Sequence, residues 1–152
     1  MRLLVMKNLF WTMAVLTGAL LPALVAAEQS INFGDYTVHY NAFTTDQLTP
    51  EVAKQYRIPR SKNRVMVNIS VLKKGNGVLG TPVKARIVGE AKNLSEQLRE
   101  LQLREVIEDK AIYYIAETPV NNEEILKFNF RITPEEGPVF YQLSFQKQFY
   151  TN

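Results

Sequence analysis

Four cations lie within the eight residues from Arg57 to Arg64, and Asn63 lies among them. The guanidinium fork of arginine matches carboxylate and phosphate groups in geometry and charge. Pro59 interrupts the segment, which predicts a loop, and loops held by a rigid sheet often carry function. A solvated connector whose charges protect an edge strand is the alternative. The predicted binding residues are Arg57, Arg60, Lys62, Asn63 and Arg64.

His39 is the only histidine of the chain, and the chain has no cysteine. A Ser-His-Asp triad would need His39 as its base, and a zinc site needs several nitrogen or sulfur ligands together. The missing cysteines exclude thiol catalysis and Cys-ligated zinc. His39 alternates out of phase with Tyr36, Val38 and Tyr40, which favours a position on the solvent side of a strand. The sequence predicts no catalytic residue, no metal site and no cofactor.

Acidic residues form three pairs, each beside a turn signal: Glu108-Asp109, Glu123-Glu124 and Glu135-Glu136. None has the alternating oxygen ligands and the glycine of a calcium loop, so solvated turns are the favoured interpretation. A glycosidase can use two carboxylates that are distant in sequence. A small carboxylate-dependent hydrolase acting on envelope sugars or peptides therefore stays open as an alternative function.

The first residues form a secretory signal pattern. Arg2 and Lys7 give a basic end, residues 9–24 carry no charge, and Val25-Ala26-Ala27 supplies small residues before Glu28. This pattern predicts a signal peptide of residues 1–27 that is cleaved after Ala27, and hence a periplasmic protein without stable membrane insertion after cleavage. A membrane anchor is disfavoured because the apolar run is shorter than the roughly 20 residues of a spanning helix.

Cleavage would leave residues 28–152 as a single domain. It removes two of the 18 basic residues and none of the 15 acidic ones, which lowers the formal net charge from +3 to +1. A chain of this balance gives no overall reason to expect nucleic acid as a partner.

Alternation of apolar and polar residues dominates the mature chain and predicts β-strands. Seven strands are predicted, at residues 36–41, 65–72, 83–91, 97–107, 111–116, 126–132 and 139–146. The strand at 97–107 is ambiguous, because Leu94, Leu98 and Leu101 also have helical spacing. Thr49 followed by Pro50 predicts a capped short helix that ends before Pro59.

The fold class predicted from these elements is all-β. About seven antiparallel strands with one short helix are typical of an immunoglobulin-like β-sandwich. A small β-barrel is the alternative. The periodicity places Val67, Ile69, Phe128, Phe130 and Leu143 in the core.

Several strings of the chain are familiar in combination: Phe33–Tyr36, Val38–Phe43, Arg60–Arg64, Val67–Lys74, Arg104–Val106, Ala111–Tyr114 and Asn122–Phe128. With these strings the chain resembles a domain-of-unknown-function family of small exported proteins of Gram-negative bacteria. The resemblance implies a single β-rich periplasmic domain. It implies no catalytic residue, ligand or cofactor.

These features favour a non-enzymatic binding or accessory module of the periplasm over the hydrolase. Its expected partner is an envelope protein or an anionic cell-wall component.

Overall fold

Ten strands form two antiparallel sheets in the computed structural model, which describes residues 29–75 and 80–152. The strands are β1 (Gln29–Phe33), β2 (Tyr36–Thr44), β3 (Arg64–Lys73), β4 (Thr81–Pro82), β5 (Ala85–Lys92), β6 (Leu98–Leu101), β7 (Arg104–Glu108), β8 (Ala111–Pro119), β9 (Ile125–Pro134) and β10 (Tyr141–Gln148). A short 3₁₀ turn (Thr45–Gln47) and the helix α1 (Pro50–Gln55) connect β2 to β3. The predicted signal peptide of residues 1–27 lies outside the described residues.

The two sheets stay separate along the described part of the chain, which confirms the predicted all-β antiparallel sandwich and not the barrel. Sheet A has the order β1-β2-β3-β8-β7, with β4 paired to β3. Sheet B has the order β10-β9-β5-β6. Strands β6 and β7 follow one another in the chain but belong to different sheets, so the chain crosses between the layers at Gln102 and Leu103.

The strand count differs from the seven predicted in three places. β1 and β4 are additional, and the predicted strand at 97–107 is divided into β6 and β7. The ambiguity of that segment is resolved in favour of strand structure, and β6 forms the expected hairpin with β5. The predicted helix is present: the Thr49 hydroxyl accepts from the Val52 N–H at 3.3 Å, and Pro50 occupies the first turn.

The core lies between the sheets and consists of the inward residues of both. All five predicted core residues are buried, and Val67, Ile69 and Phe128 are fully inaccessible. The Phe128 ring stacks on the Phe145 ring with centroids 4.9 Å apart. A second, smaller cluster covers part of the opposite face of sheet A, where Ile58 packs against outward-pointing residues of the sheet.

Gly89 on β5 is required by close packing inside the core. It lies directly opposite Phe130 on β9, and a Cβ added at Gly89 would be 2.3 Å from the Phe130 Cδ1. That distance is far below van der Waals contact, so the Phe130 ring occupies the space a larger residue would need.

Polar contacts join the two sheets near both margins of the sandwich. The Tyr114 hydroxyl of sheet A accepts from the Ala85 N–H of sheet B at 2.8 Å and donates to Glu105 at 2.9 Å. Burial is the main cause that raises the Tyr114 pKa to about 12. Elsewhere Lys147 of sheet B donates from Nζ to the Ala42 carbonyl of sheet A, and burial lowers the Lys147 pKa.

The loop between β8 and β9 is held by a buried carboxylate. The Glu124 side chain is 9% exposed and accepts from the Arg99 guanidinium of β6, the Asn121 N–H and the Asn93 side-chain amide. Burial alone would raise its pKa, but these donors and the Arg99 charge outweigh burial, and the pKa of Glu124 is lowered. The predicted solvated turn is therefore wrong for Glu124.

Replacing Phe128 by alanine should lower the free energy of unfolding by about 3–5 kcal/mol, because it leaves a cavity among the stacked rings. The neighbouring Lys127→Ala variant changes an exposed side chain and should shift that free energy by no more than about 0.5 kcal/mol. Denaturant unfolding of both variants measures the difference. Equal losses would contradict the burial pattern of β9.

Glu124 should contribute a pH-dependent part of the stability. A carboxyl whose pKa is lower in the folded than in the unfolded state stabilises the fold above its unfolded pKa of about 4.3. That contribution is lost as the pH falls through the folded pKa. Glu124→Gln should thus destabilise the protein at pH 7, and its deficit against the wild type should shrink in acid. A loss of stability in Glu124→Gln that is the same at pH 7 and in acid would contradict the ionic role of Glu124.

Candidate functional site

The outer face of sheet B forms an open groove with a volume of about 1070 Å³. We call it the sheet B groove. Its floor is the backbone of β5 and β9, and its flanks are contributed by β6 and the segment leading into β10. The outward side chains that line it are Arg86, Val88, Glu90, Glu100, Gln102, Asn129, Arg131, Thr133, Phe140, Gln142 and Ser144. It is much larger than a hollow of about 220 Å³ on the outer face of sheet A.

The strand register arranges the groove side chains in rows. Arg86 lies opposite Thr133, and Val88 lies opposite Arg131, which in turn faces Gln142. In the next row Glu90 lies between Glu100 and Asn129, and Asn129 faces Ser144. The groove therefore has guanidinium groups toward one end, a pair of carboxylates toward the other, and neutral hydrogen-bonding groups along β9 and β10.

Two contacts fix side chains within the groove. The Arg131 guanidinium lies over the Phe140 ring, 4.8 Å from its centroid, and Phe140 is 50% exposed. The Ser144 hydroxyl donates to the Asn129 side-chain oxygen at 2.8 Å. The groove thus presents one aromatic surface, with a cation held against it, beside an ordered hydroxyl–amide pair.

Glu90 and Glu100 are direct cross-strand partners at the β6 side of the groove. Like charges in that position repel one another. Among the described residues neither carboxylate lies within salt-bridge distance of a cation. Both groups are consequently directed to water and to whatever enters the groove.

The predicted binding loop is attached to the scaffold by three of its five residues. Arg60 donates to the Asp46 carbonyl at 2.9 Å, and Arg64 forms a salt bridge of 3.4 Å with Glu117. Asn63 accepts at its carbonyl from the Val120 N–H at 2.9 Å. These contacts tie the segment to the 3₁₀ turn, to β8 and to the residue after β8.

Thr45 anchors the middle of the same loop. Its buried hydroxyl donates to the Pro59 carbonyl at 2.7 Å and accepts from the Ser61 N–H at 2.9 Å. Arg57 and Lys62 are both exposed. Arg57 adopts a positive φ of 56°. Among the described residues, Arg57 and Lys62 are therefore the cations of this loop whose side chains make no contact that holds the loop.

His39 lies on the outer face of sheet A, as predicted, and lines the small hollow there with Ser70, Leu72 and Tyr113. Residues 29–75 and 80–152 contain no group of three or more His, Cys, Asp or Glu side chains that could hold a metal ion. No helix among the same residues is long and apolar enough to cross a bilayer.

The groove residues do not stand out in the sequence. Each is a polar or exposed position of a strand whose alternation is recognisable, for example Arg86 on β5 and Arg131 on β9. Their convergence depends on the pairing of β5 with β9 and of β9 with β10, which alternation does not encode. The sequence signal that could have pointed to them is that β5, β9 and β10 each carry polar residues at alternate positions.

The solved structures that match this chain include one relative of moderate identity and two structures of low identity. A DUF4426 family protein from Pseudomonas aeruginosa PAO1 is 34% identical, with a TM-score of 0.70 over 82% of this chain and 96% of that chain. FetP from uropathogenic Escherichia coli strain F11, expressed in the periplasm of E. coli, is 10% identical, with a TM-score of 0.56 over 82% and 94% of the two chains.

A copper-bound variant of the same FetP is 9% identical, with a TM-score of 0.58 over 82% of this chain and 95% of that chain. Identities this low show a common fold and nothing more. No curated protein matches the chain. The family described as "Domain of unknown function (DUF4426)" matches residues 30–152. The family resemblance seen in the sequence is therefore confirmed, and the chain belongs to the DUF4426 family.

Proposed function

We propose that the protein is a non-enzymatic binding module of the periplasm that engages a cell-wall component or an envelope protein through the sheet B groove. The observation that carries this proposal is the groove itself, a concavity of about 1070 Å³ on a four-stranded sheet. A large concave surface with a few convergent polar groups is the default position of a ligand site.

The construction of the groove supports binding without rearrangement. Its floor consists of paired strands, and the core residues Phe128 and Phe130 fill the space behind β9. Side chains on such a scaffold are held in place before the ligand arrives, so little entropy is lost on binding.

Export is part of the proposal and is supported by the signal pattern of residues 1–27. Copper binding is not carried over from the FetP variant, because the likeness to that protein concerns the fold alone. The described residues also offer no group of three candidate ligands.

The alternative of a carboxylate-dependent hydrolase is favoured by one observation, the facing pair Glu90 and Glu100. Cross-strand neighbours have Cβ atoms about 4.5–5.5 Å apart, and retaining glycosidases place their two carboxyl groups about 5–5.5 Å apart. The pair lies on one open, wet surface, however. Acid and base roles usually require two different environments, and for this reason we favour binding.

Solubilised cell-wall fragments and detergent-extracted envelope proteins should perturb amide NMR signals of β5, β9 and β10. Val88→Trp should weaken that interaction by about tenfold or more, because Val88 is 59% exposed in the groove and a bulky ring there would obstruct the path of the ligand. Leu94→Trp is the matched control, since Leu94 is 63% exposed in a turn outside the groove. Perturbations confined to other faces, or equal affinities of the two variants, would refute the proposed surface.

The same wall fragments test the hydrolase. Fragment release by the wild type that disappears in the Glu90→Gln, Glu100→Gln double variant would replace the binding function by catalysis. Unchanged fragments after prolonged incubation, together with binding, would support the module.

A second, electrostatic contribution of the loop at residues 57–64 is also part of the proposal. Replacing Arg57 and Lys62 by alanine should change the free energy of unfolding by no more than about 0.5 kcal/mol and weaken capture of an anionic partner most at low salt. Replacing Arg60 and Arg64 should instead lower the free energy of unfolding by roughly 1–2 kcal/mol, because their guanidinium groups hold the loop. Melting curves of the variants are recorded before the capture assay. Salt-insensitive capture that is identical in wild type and the Arg57/Lys62 variant would remove the loop from the binding surface.

A further inference from the structure

Two arginines are near neighbours on the strands of the sheet B groove. Arg86 on β5 is the direct partner of Thr133, and Arg131 is two residues before Thr133 on β9, so the two arginines are diagonal neighbours. Both are exposed and point outward. Diagonal neighbours on one sheet face have Cβ atoms within about 7–8 Å, within reach of long side chains.

The charge of this pair is not neutralised by the protein. In the part of the chain that the structure describes, neither guanidinium lies within salt-bridge distance of a carboxylate. Arg131 is a diagonal neighbour of Glu90 as well, yet its guanidinium lies over the Phe140 ring. The ring therefore holds the cation away from the nearest carboxylate and leaves its N–H groups available.

The surroundings of the pair are neutral and hydrogen-bonding. Thr133 and Gln142 are its cross-strand neighbours, and both can donate and accept. Phe140 and Val88 add exposed apolar surface, 50% and 59% accessible. Such a surface fits a ligand that carries an anionic group, several hydroxyl groups and a ring with an apolar face.

Two other classes of macromolecule fit less well. A nucleic-acid strand needs several stacking rings along its track, but Phe140 is the one exposed aromatic ring of the groove in the described structure. An acidic peptide would satisfy the arginines, but extended peptides gain main-chain hydrogen bonds at a free sheet edge, and the backbones of β5 and β9 beneath the groove are already paired with each other.

We propose, resting on the proposed binding function, that Arg86 and Arg131 form the anion subsite of a groove for acidic polysaccharide. The two forks take a carboxylate or phosphate group of the chain. The adjacent sugar ring contacts the exposed part of the Phe140 side chain that Arg131 does not cover, and its hydroxyl groups bond to Thr133 and Gln142.

The test uses pairs of polymers that share a backbone and differ in whether they carry a free anionic group. Oligogalacturonate is compared with its methyl ester, and phosphorylated dextran with plain dextran, by titration calorimetry on the wild-type protein. At least one anionic polymer should bind, and its neutral counterpart should bind at least about tenfold more weakly. The pair that responds identifies carboxylate or phosphate as the anion. Equal binding of charged and neutral forms, or no binding of either anionic polymer, overturns the proposal.

Variants separate a built subsite from general electrostatics. The double variant Arg86→Gln, Arg131→Gln should bind the anionic polymer about tenfold more weakly or worse. The double variant Arg86→Lys, Arg131→Lys should recover only part of that loss, because lysine lacks the guanidinium fork. Lys92→Gln with Lys127→Gln is the matched control: these residues face each other on the same sheet and carry the same charge. Equal losses in the glutamine and control variants overturn the subsite.

The experiments distinguish failure of the anion subsite from failure of the proposed binding function. If wall fragments still perturb the groove and Val88→Trp still blocks them, but the arginine variants bind as the wild type does, the anion subsite is wrong and the binding module stands. If no envelope material perturbs the NMR signals of the groove, both the anion subsite and the binding function are refuted. A protein partner that occupies the groove while both anionic polymers fail likewise overturns the polysaccharide assignment.

Discussion

The burial of one face of β9 is the constraint on which the rest of the structure depends. Leu126, Phe128, Phe130 and Ile132 point into the sandwich and are almost completely inaccessible. Because side chains alternate along a strand, Lys127, Asn129, Arg131 and Thr133 must then point outward. A shift of one residue in register would exchange the two sets and place charges in the core. The same packing that stabilises the fold thus fixes the positions of the groove side chains.

Much of the fold could be predicted because this alternation is local in sequence. It located the seven predicted strand regions and all five of the named core residues. The Thr49-Pro50 pair located the start of α1. The division of the strand at 97–107 was missed for a physical reason: Leu101 and Leu103 both point inward, although the pairing partner changes between them from β5 to β8. β1 was missed because its residues are mostly exposed, and its pairing with β2 is what orders it.

The candidate site was harder to predict because its residues meet only through long-range pairing. Arg86 and Arg131 become neighbours when β5 pairs with β9, and Phe140 joins them through the approach to β10. The basic segment at 57–64 stood out instead, because its cations are adjacent in sequence. The structure assigns contacts within the fold to Arg60, Asn63 and Arg64. The residues that cluster in the sequence thus serve in large part to anchor a loop.

The relatives indicate why function must be argued from the outward side chains. The FetP structures retain the fold at 9–10% identity, with TM-scores of 0.56 and 0.58. Inward positions need little more than suitable volume and apolarity, so many sequences can fill such a core. Outward positions of a sheet carry no comparable packing requirement. A cation held on an aromatic ring and a facing pair of carboxylates are therefore not required by packing, and the binding proposed along the groove would give them a role. The repulsion between Glu90 and Glu100 points the same way, because it opposes folding and a ligand could offset it.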